Sequence, residues 1–468
     1  MKRLILIYST YFFEIQLLLL VVFAATALFW SEKYSSKSKQ TKSNASADER
    51  LEAGRTNSEG TVSALKRKYL VAYAIVAAAD WFQGPYLYSL FREQYMLSER
   101  FIAILYVTAF VSKSTTAPFV AIYGDRFGRR KLCLVSCITY AFSCLWITIP
   151  SAQTLLFSRI LSGISTSVLL STFESWMTSS AKEASLEAED ISSIMSRATL
   201  ISGFAATAAG ITSNQLVWAT GNLATPFVAS GILSVLAWIF ISRGWSESSG
   251  GPQEHSSLHL GHAWAIARQK PHLLVLGMTQ VCFEASTFLF ISTWVPSLQE
   301  RQWQAFPLPF GYIFASFMVC MTIGSLAYAA IVAYSHRTSG LMTEDTKITL
   351  NAKISGSVFA VSALMFAVAA TSPYQHSRFR AFCVFEMCIG IYYLAQHALT
   401  SSLNPKTHVA ALSTLFRLPL NLLVVVLVMN GTSDTRNIML AVSAVMLAIS
   451  SLMIGAFIVD CAEEGNAT

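Results

Sequence analysis

Long apolar runs separated by short polar junctions recur along most of the chain. From residue 69 onward twelve runs stand out, at 69–90, 101–122, 132–149, 154–176, 194–214, 222–242, 272–295, 309–334, 351–370, 379–400, 408–430 and 437–459. Each is close to the 20 or so residues a helix needs to cross a bilayer. None shows the ten-residue alternation of a membrane strand. The pattern predicts an all-α polytopic membrane protein.

Residues 4–30 form a further apolar run behind Met1-Lys2-Arg3, and two readings compete for it. The basic start and the small residues Ala24-Ala25-Thr26-Ala27 suit a cleaved signal peptide. Against cleavage, the run is long for a signal core, Glu14 and Gln16 interrupt it, and the segment released outside would be strongly basic. A retained transmembrane helix over 1–30 is the preferred reading, although it puts Lys2 and Arg3 outside. Residues 31–68 are rich in Ser, Lys and Glu without a periodic apolar face, and are expected to be a disordered cytoplasmic linker. The longest later break, 243–271, is expected to be a central cytoplasmic loop. It separates a six-helix bundle over 69–242 from a second over 272–459, and a cytoplasmic tail follows over 460–468. Such a six-plus-six array suggests an internal repeat with the solute path between the halves.

Charge fixes the sides. Of 33 Lys and Arg, 21 fall in segments assigned to the cytoplasm by this count, and eight in segments assigned outside. That bias obeys the positive-inside rule. The sharpest cluster, Asp125-Arg126-Phe127-Gly128-Arg129-Arg130-Lys131, joins the second and third runs. Composition agrees: 54 % of residues are hydrophobic and 13 % charged, against about 25 % charged in a soluble domain. The net charge of +7 belongs to the junctions, so the expected partner is a bilayer with anionic lipids and not nucleic acid. The eight cysteines, at 133, 137, 144, 282, 320, 383, 388 and 461, read as small buried hydrophobes. No metal site, cofactor or enzymatic constellation is expected: His397 and His408 have no acidic partner at catalytic spacing.

Asp125-Arg126-x-Gly128-Arg129-Arg130 resembles the loop signature of the major facilitator superfamily, with Ala121 standing where that pattern normally has Gly. Arg159-x-x-x-Gly163 is similar to the superfamily's second motif, while the loop near His336-Arg337 has lost the signature. A narrower set resembles the eukaryotic molybdate-anion transporter family: Ala78-Ala79-Asp80-Trp81-Phe82-Gln83-Gly84-Pro85-Tyr86-Leu87-Tyr88, Phe173-Glu174-Ser175-Trp176, Phe283-Glu284, Trp294-x-Pro296, Phe416-Arg417-x-Pro419 and Thr435-Arg436-Asn437. These resemblances imply a facilitator fold of six plus six helices with one extra N-terminal helix, monomeric as is usual in the superfamily. They further imply molybdate uptake into the cell, across the cell membrane. A facilitator for another solute (sulfate, an organic anion or a sugar) and a transport-inactive receptor are the alternatives. By the same resemblance, Asp125, Arg126, Gly128, Arg129 and Arg130 form a conformational latch. The plain reading is a topogenic charge cluster.

Four carboxylates lie within runs: Asp80 in the first, Glu174 in the fourth, Glu284 in the seventh and Glu386 in the tenth. Each costs roughly 2.5–3.5 kcal/mol at a helix centre on insertion scales, so each needs a cavity or a partner. They repeat with a six-span period, and the superfamily resemblance implies that all four face the central cavity. Their expected role is proton coupling or salt bridging; a structural pin is the competing reading for any one. Arg197 and Arg417, again six spans apart, offer fixed donor forks suited to oxyanions. They are expected to bind the anion or to hold glutamates in gating pairs. Arg159 is a third candidate, with packing as its alternative. A tetrahedral dianion needs several donors, which Tyr86, Tyr88, Gln83 and Gln280 can supply. Four carboxylates would repel it, so at least one, Glu174 or Glu284, is expected to be protonated during entry. Lys113, before Ser114-Thr115-Thr116-Ala117-Pro118, either snorkels or lines the path.

Overall fold

The computed structural model describes residues 11–45, 55–186, 188–247, 264–265, 268–269, 271–300, 308–339, 344–403 and 409–459. The start of the N-terminal run over 4–30, most of the central loop, the tail and the side chain of Asp125 lie outside the described residues.

The described chain is helical almost throughout. Its long helices are α1 (Phe12–Ala45), α2 (Arg55–Trp81), α3 (Glu99–Phe127), α4 (Arg129–Trp146), α5 (Ala152–Glu183), α6 (Ala188–Thr220), α7 (Thr225–Gly244), α8 (Pro271–Gln299), α9 (Phe310–Ser339), α10 (Glu344–Thr371), α11 (Gln375–Leu403), α12 (Val409–Met429) and α13 (Arg436–Ile454). Among the described residues ten helices are long and apolar enough to cross a membrane. Two of the other three have local reasons for missing that mark: α2 opens on a polar stretch and α4 opens with Arg129-Arg130-Lys131. Among the described side chains of α12, Leu415–Met429 form a shorter apolar helix.

Two departures from the sequence reading stand out. The first apolar run is broken: α2 stops at Trp81, residues 82–86 turn, and the chain resumes as a short helix Leu87–Ser89 and a π-helical turn Leu90–Gln94. Pro85 explains this, because it lacks an N–H and pushes the preceding Gly84 out of the helical region. The segment read as a disordered linker is helical up to Ala45 and again from Arg55. Its Lys, Gln, Glu and Ala residues are good helix formers. A helix nucleated in the apolar run propagates at the gain of one hydrogen bond per residue.

Contacts gather the chain into two compact units. The first comprises Met1–Leu87, Ser112–Gln253 and Pro309–Val319, the second Tyr88–Val111, Glu254–Leu308 and Cys320–Thr468. In the first, α2 packs on α6 and α7, and α4 on α5 and α7. Its core joins Tyr69, Val76, Phe173, Trp176, Met177, Ile194, Ile241 and Trp245. There Trp176 and Trp245 stack with centroids 3.6 Å apart, and the Trp176 indole N–H donates to the Ser246 carbonyl at 3.1 Å.

In the second unit, α10 packs on α11 and α13, and α8 on α11, α12 and α13. Phe283 stacks on Tyr392 at 3.8 Å, and Phe290, Phe366 and Phe385 interlock edge to face beside them. α9 and α11 cross almost backbone to backbone at two glycines. A Cβ on Gly324 would lie 2.0 Å from the Met387 carbonyl oxygen, and one on Gly390 would lie 2.0 Å from that of Met321. Only hydrogen fits at either position.

Candidate functional site

In the first unit the candidates form an internally bonded network around the end of α2. The Tyr140 hydroxyl, from α4, donates to Asp80 Oδ1 at 2.7 Å, and Lys113 lies within electrostatic reach of the same carboxylate. Gln83 sits in the turn that Pro85 creates. Its amide donates to Cys144 Sγ at 3.2 Å and accepts from Arg159 Nη2 at 3.5 Å. Cys144 donates on to Ser230 at 3.4 Å, and Ser230 to the Ala79 carbonyl at 2.6 Å. Arg159 is 3 % exposed. The Tyr86 hydroxyl donates to Asn214 Oδ1 at 2.8 Å, away from Asp80. Glu174 and Arg197 are both exposed, and Glu174 acts electrostatically on Tyr69 and Tyr73.

The second unit assembles a different set. Gln280 Nε2 donates to Glu284 Oε1 at 2.7 Å, one turn along α8. The Glu284 charge reaches half-buried Arg417 of α12 and Tyr392 and Tyr393 of α11. Tyr393 also lies within reach of Glu386, which is 5 % exposed. Thus Gln280, Glu284, Arg417 and Glu386, chosen from sequence, fall in one neighbourhood. Tyr88 joins none of the four acids; its hydroxyl points to Glu99 Oε1 at 3.4 Å.

The basic loop is built around Gly128, whose φ of +92° favours glycine. A Cβ there would lie 2.3 Å from Glu247 Oε1. The Glu247 carboxylate accepts the Arg130 backbone N–H at 3.0 Å and so caps the start of α4. Arg130 Nη2 donates to the Ser242 carbonyl at 2.6 Å, in the last turn of α7, and Arg129 Nη1 to that of Ser175 at 2.9 Å. Arg126 is exposed. Sequence reasoning missed Glu247. The available signal was a lone acid directly after the sixth run, in reach of an uncapped helix start.

A second cluster escaped the sequence reading, in which Arg378 and Arg436 stand as outer-junction charges, Arg436 also within the Thr435-Arg436-Asn437 resemblance, and Glu99 and Glu300 have no part. Arg436, 1 % exposed, makes ion pairs with Glu99 Oε2 at 3.2 Å and with Glu300 Oε1. Arg378, fully buried, pairs with Glu300 Oε2 at 3.7 Å. It also donates to the carbonyls of Ser297 and Ser372, each at 3.1 Å, and to Asn437 Oδ1 at 3.0 Å. An apolar groove between α4 and α7, lined by residues such as Ile138, Phe142, Leu145, Ile232 and Leu236, offers an anion nothing.

A bundle of membrane-length helices with intramembrane charges and a glycine-centred basic loop defines a polytopic solute carrier. Residues 47–375 match the family model described as sugar transporters with 12 TM. The chain therefore belongs to that family of the major facilitator superfamily, a class of non-enzymatic secondary transporters. It is 31 % identical over 390 residues to a molybdate-anion transporter of Xenopus laevis, covering 82 % of this chain and 83 % of that one. It is also 31 % identical over 382 residues to a molybdate-anion transporter of Takifugu rubripes, covering 76 % and 77 %. Among solved structures, the nucleoside transporter NupG superposes with a TM-score of 0.65 at 10 % identity, over 84 % of this chain and 98 % of that one. The POT family transporter PepTSo gives 0.65 at 11 % identity, over 86 % and 98 %. These two likenesses show the fold.

Proposed function

We propose that this protein carries molybdate into the cell across the plasma membrane by alternating access, with proton coupling. Twelve spans in two bundles, 69–242 and 272–459, enclose the path, and the helix at the N-terminus is an extra span. It works as a monomer, with the loop over 125–130 as its latch on the cytoplasmic side. The observation that carries the reading is the neighbourhood of Arg417, Glu284 and Gln280. With Glu284 ionised, the pair is neutral and a dianion gains little there. With Glu284 protonated, the negative charge it sets against Arg417 is removed, and the guanidinium fork suits two oxyanion oxygens. Gln280 is then released to donate to the same anion. Arg197, Arg159, Gln83 and Tyr86 supply further donors along the path, and Asp80, Glu174 and Glu386 supply the remaining coupling or salt-bridge positions. The names of the curated relatives support the choice of solute.

Purified protein in liposomes tests this directly. Saturable molybdate uptake is expected, faster at pH 5.5 than at 7.5 and accompanied by proton entry. Flux that is flat across that range would remove the coupling, and no molybdate flux at all would sink the solute. A sugar as solute is the second reading, favoured by the description of the matching family. Uptake of a labelled hexose with no molybdate competition would establish it.

A further inference from the structure

We propose that Arg436 is the pin of a charge clasp at the outer end of the helices: Glu99 and Glu300 close on its guanidinium, and the clasp must release before the path opens on that side. This rests on the alternating-access reading above and adds to it a named closing device. The charge bias along the chain assigns the junctions holding Glu99, Glu300 and Arg436 to the outside.

Four observations carry the inference. The clasp joins distant parts of the sequence: Glu99 begins α3, Glu300 follows α8 and Arg436 begins α13. Tyr88–Val111 accordingly gathers with the later helices in the second unit. Next, the two arginines are held differently. Arg378 is bound by three neutral oxygens besides Glu300, which makes it a fixed anchor. Arg436 is held by the two carboxylates, and its Nε is buried without a hydrogen-bond partner. Glu99 in turn is aimed by the Ser433 backbone N–H at 2.7 Å and the Tyr88 hydroxyl at 3.4 Å. Last, a small cavity lined by Tyr88, Glu99, Thr293, Pro296, Thr432 and Arg436 lies against the pair, so water can hydrate the charges once the helices part.

Energetics favour a reversible device. A buried ion pair is close to break-even against its separated, hydrated charges, whereas loss of one partner strands the other. Closing and opening are then nearly balanced, and neutralising a carboxylate tips the balance toward open. An apolar contact at the same place would favour closure outright.

The test uses the full-length protein in liposomes, with Thr293→Cys, 2 % exposed, as reporter and Tyr374→Cys, 68 % exposed, as control. A membrane-impermeant maleimide is added from outside, and the protein without either introduced cysteine is the blank. In the otherwise unaltered protein, Thr293→Cys is expected to label far more slowly than Tyr374→Cys. Glu99→Gln should speed the reporter several-fold and Glu300→Gln about tenfold, as a shifted two-state equilibrium requires, with the control unchanged. Glu99→Asp, which keeps the charge but shortens the reach, should fall between. Tyr88→Phe gives a milder variant should the glutamine forms fold poorly. Unchanged reporter rates in monodisperse protein, or a reporter already as fast as the control, would overturn the clasp. The readout needs no solute, so a shift in labelling without molybdate flux upholds the clasp and removes only the proposed cargo.

Discussion

The carboxylates near the ends of α2 and in the middle of α8 come from equivalent places in the two sequence halves, yet they are treated in opposite ways. Asp80 receives a full hydrogen bond from Tyr140, and the polar groups around it are linked into a chain from Arg159 through Gln83, Cys144 and Ser230 to the Ala79 carbonyl. Glu284 accepts an amide from its own helix, and half-buried Arg417 and two tyrosines lie in reach. A network of this kind holds helices in register, and its donors must give up a protein partner before they serve a solute. A carboxylate beside a guanidinium can exchange partners with an anion. Two acids six runs apart in the sequence thus sit in differently packed surroundings.

The largest expected effect tests that division directly. Arg417→Ala should cut uptake by about 100-fold or more with the protein still folded, as loss of a buried anion partner does. Arg417→Lys should recover part of it, because a point charge replaces the fork only incompletely. Initial rates in liposomes check both, and Asp80→Asn serves as the contrast. If Asp80→Asn proves as damaging to flux, the two sites are functionally equal and the comparison fails. Next in size, Glu284→Gln should flatten the dependence of uptake on pH. The sign follows from the charge: protonation removes the carboxylate's competition for Arg417, so uptake in the unaltered protein rises as pH falls, and the variant should resemble the low-pH form throughout.

Asp80→Asn itself should cost about 1–2 kcal/mol of stability, the usual loss when a buried hydrogen bond is weakened. A thermal melt in detergent would show it, with flux reduced by threefold at most. Gly128→Ala forces a left-handed residue against Glu247, worth about 1–3 kcal/mol of strain, so it should melt lower than Gly124→Ala, whose Cβ would meet nothing closer than 3.9 Å. The smallest effect is expected from Gln83→Ala: a mild drop in melting temperature and uptake within about twofold, since its two partners are protein groups.

Much of this was legible in the chain. Apolar runs of membrane length, the basic junction and the intramembrane acids are signals carried by single positions, and Glu284, Gln280 and Arg417 did converge. Helix breaks and junction charges were harder to read. The stop at Trp81 was written in Gly84-Pro85, but an apolar count runs straight through it. Glu247, Glu99 and Glu300 sit at helix ends, where no periodicity marks them, and their meaning depends on which other helix end folds alongside. Tyr86 and Tyr88 show the same limit: two residues apart in sequence, they bond to Asn214 and Glu99 respectively.

The paired glycines where α9 meets α11 constrain how this carrier can work. With each helix pressed into the other's main chain at Gly324 and Gly390, the pair is braced like a strut, and Glu386, one turn before Gly390 on α11, is held by the same joint.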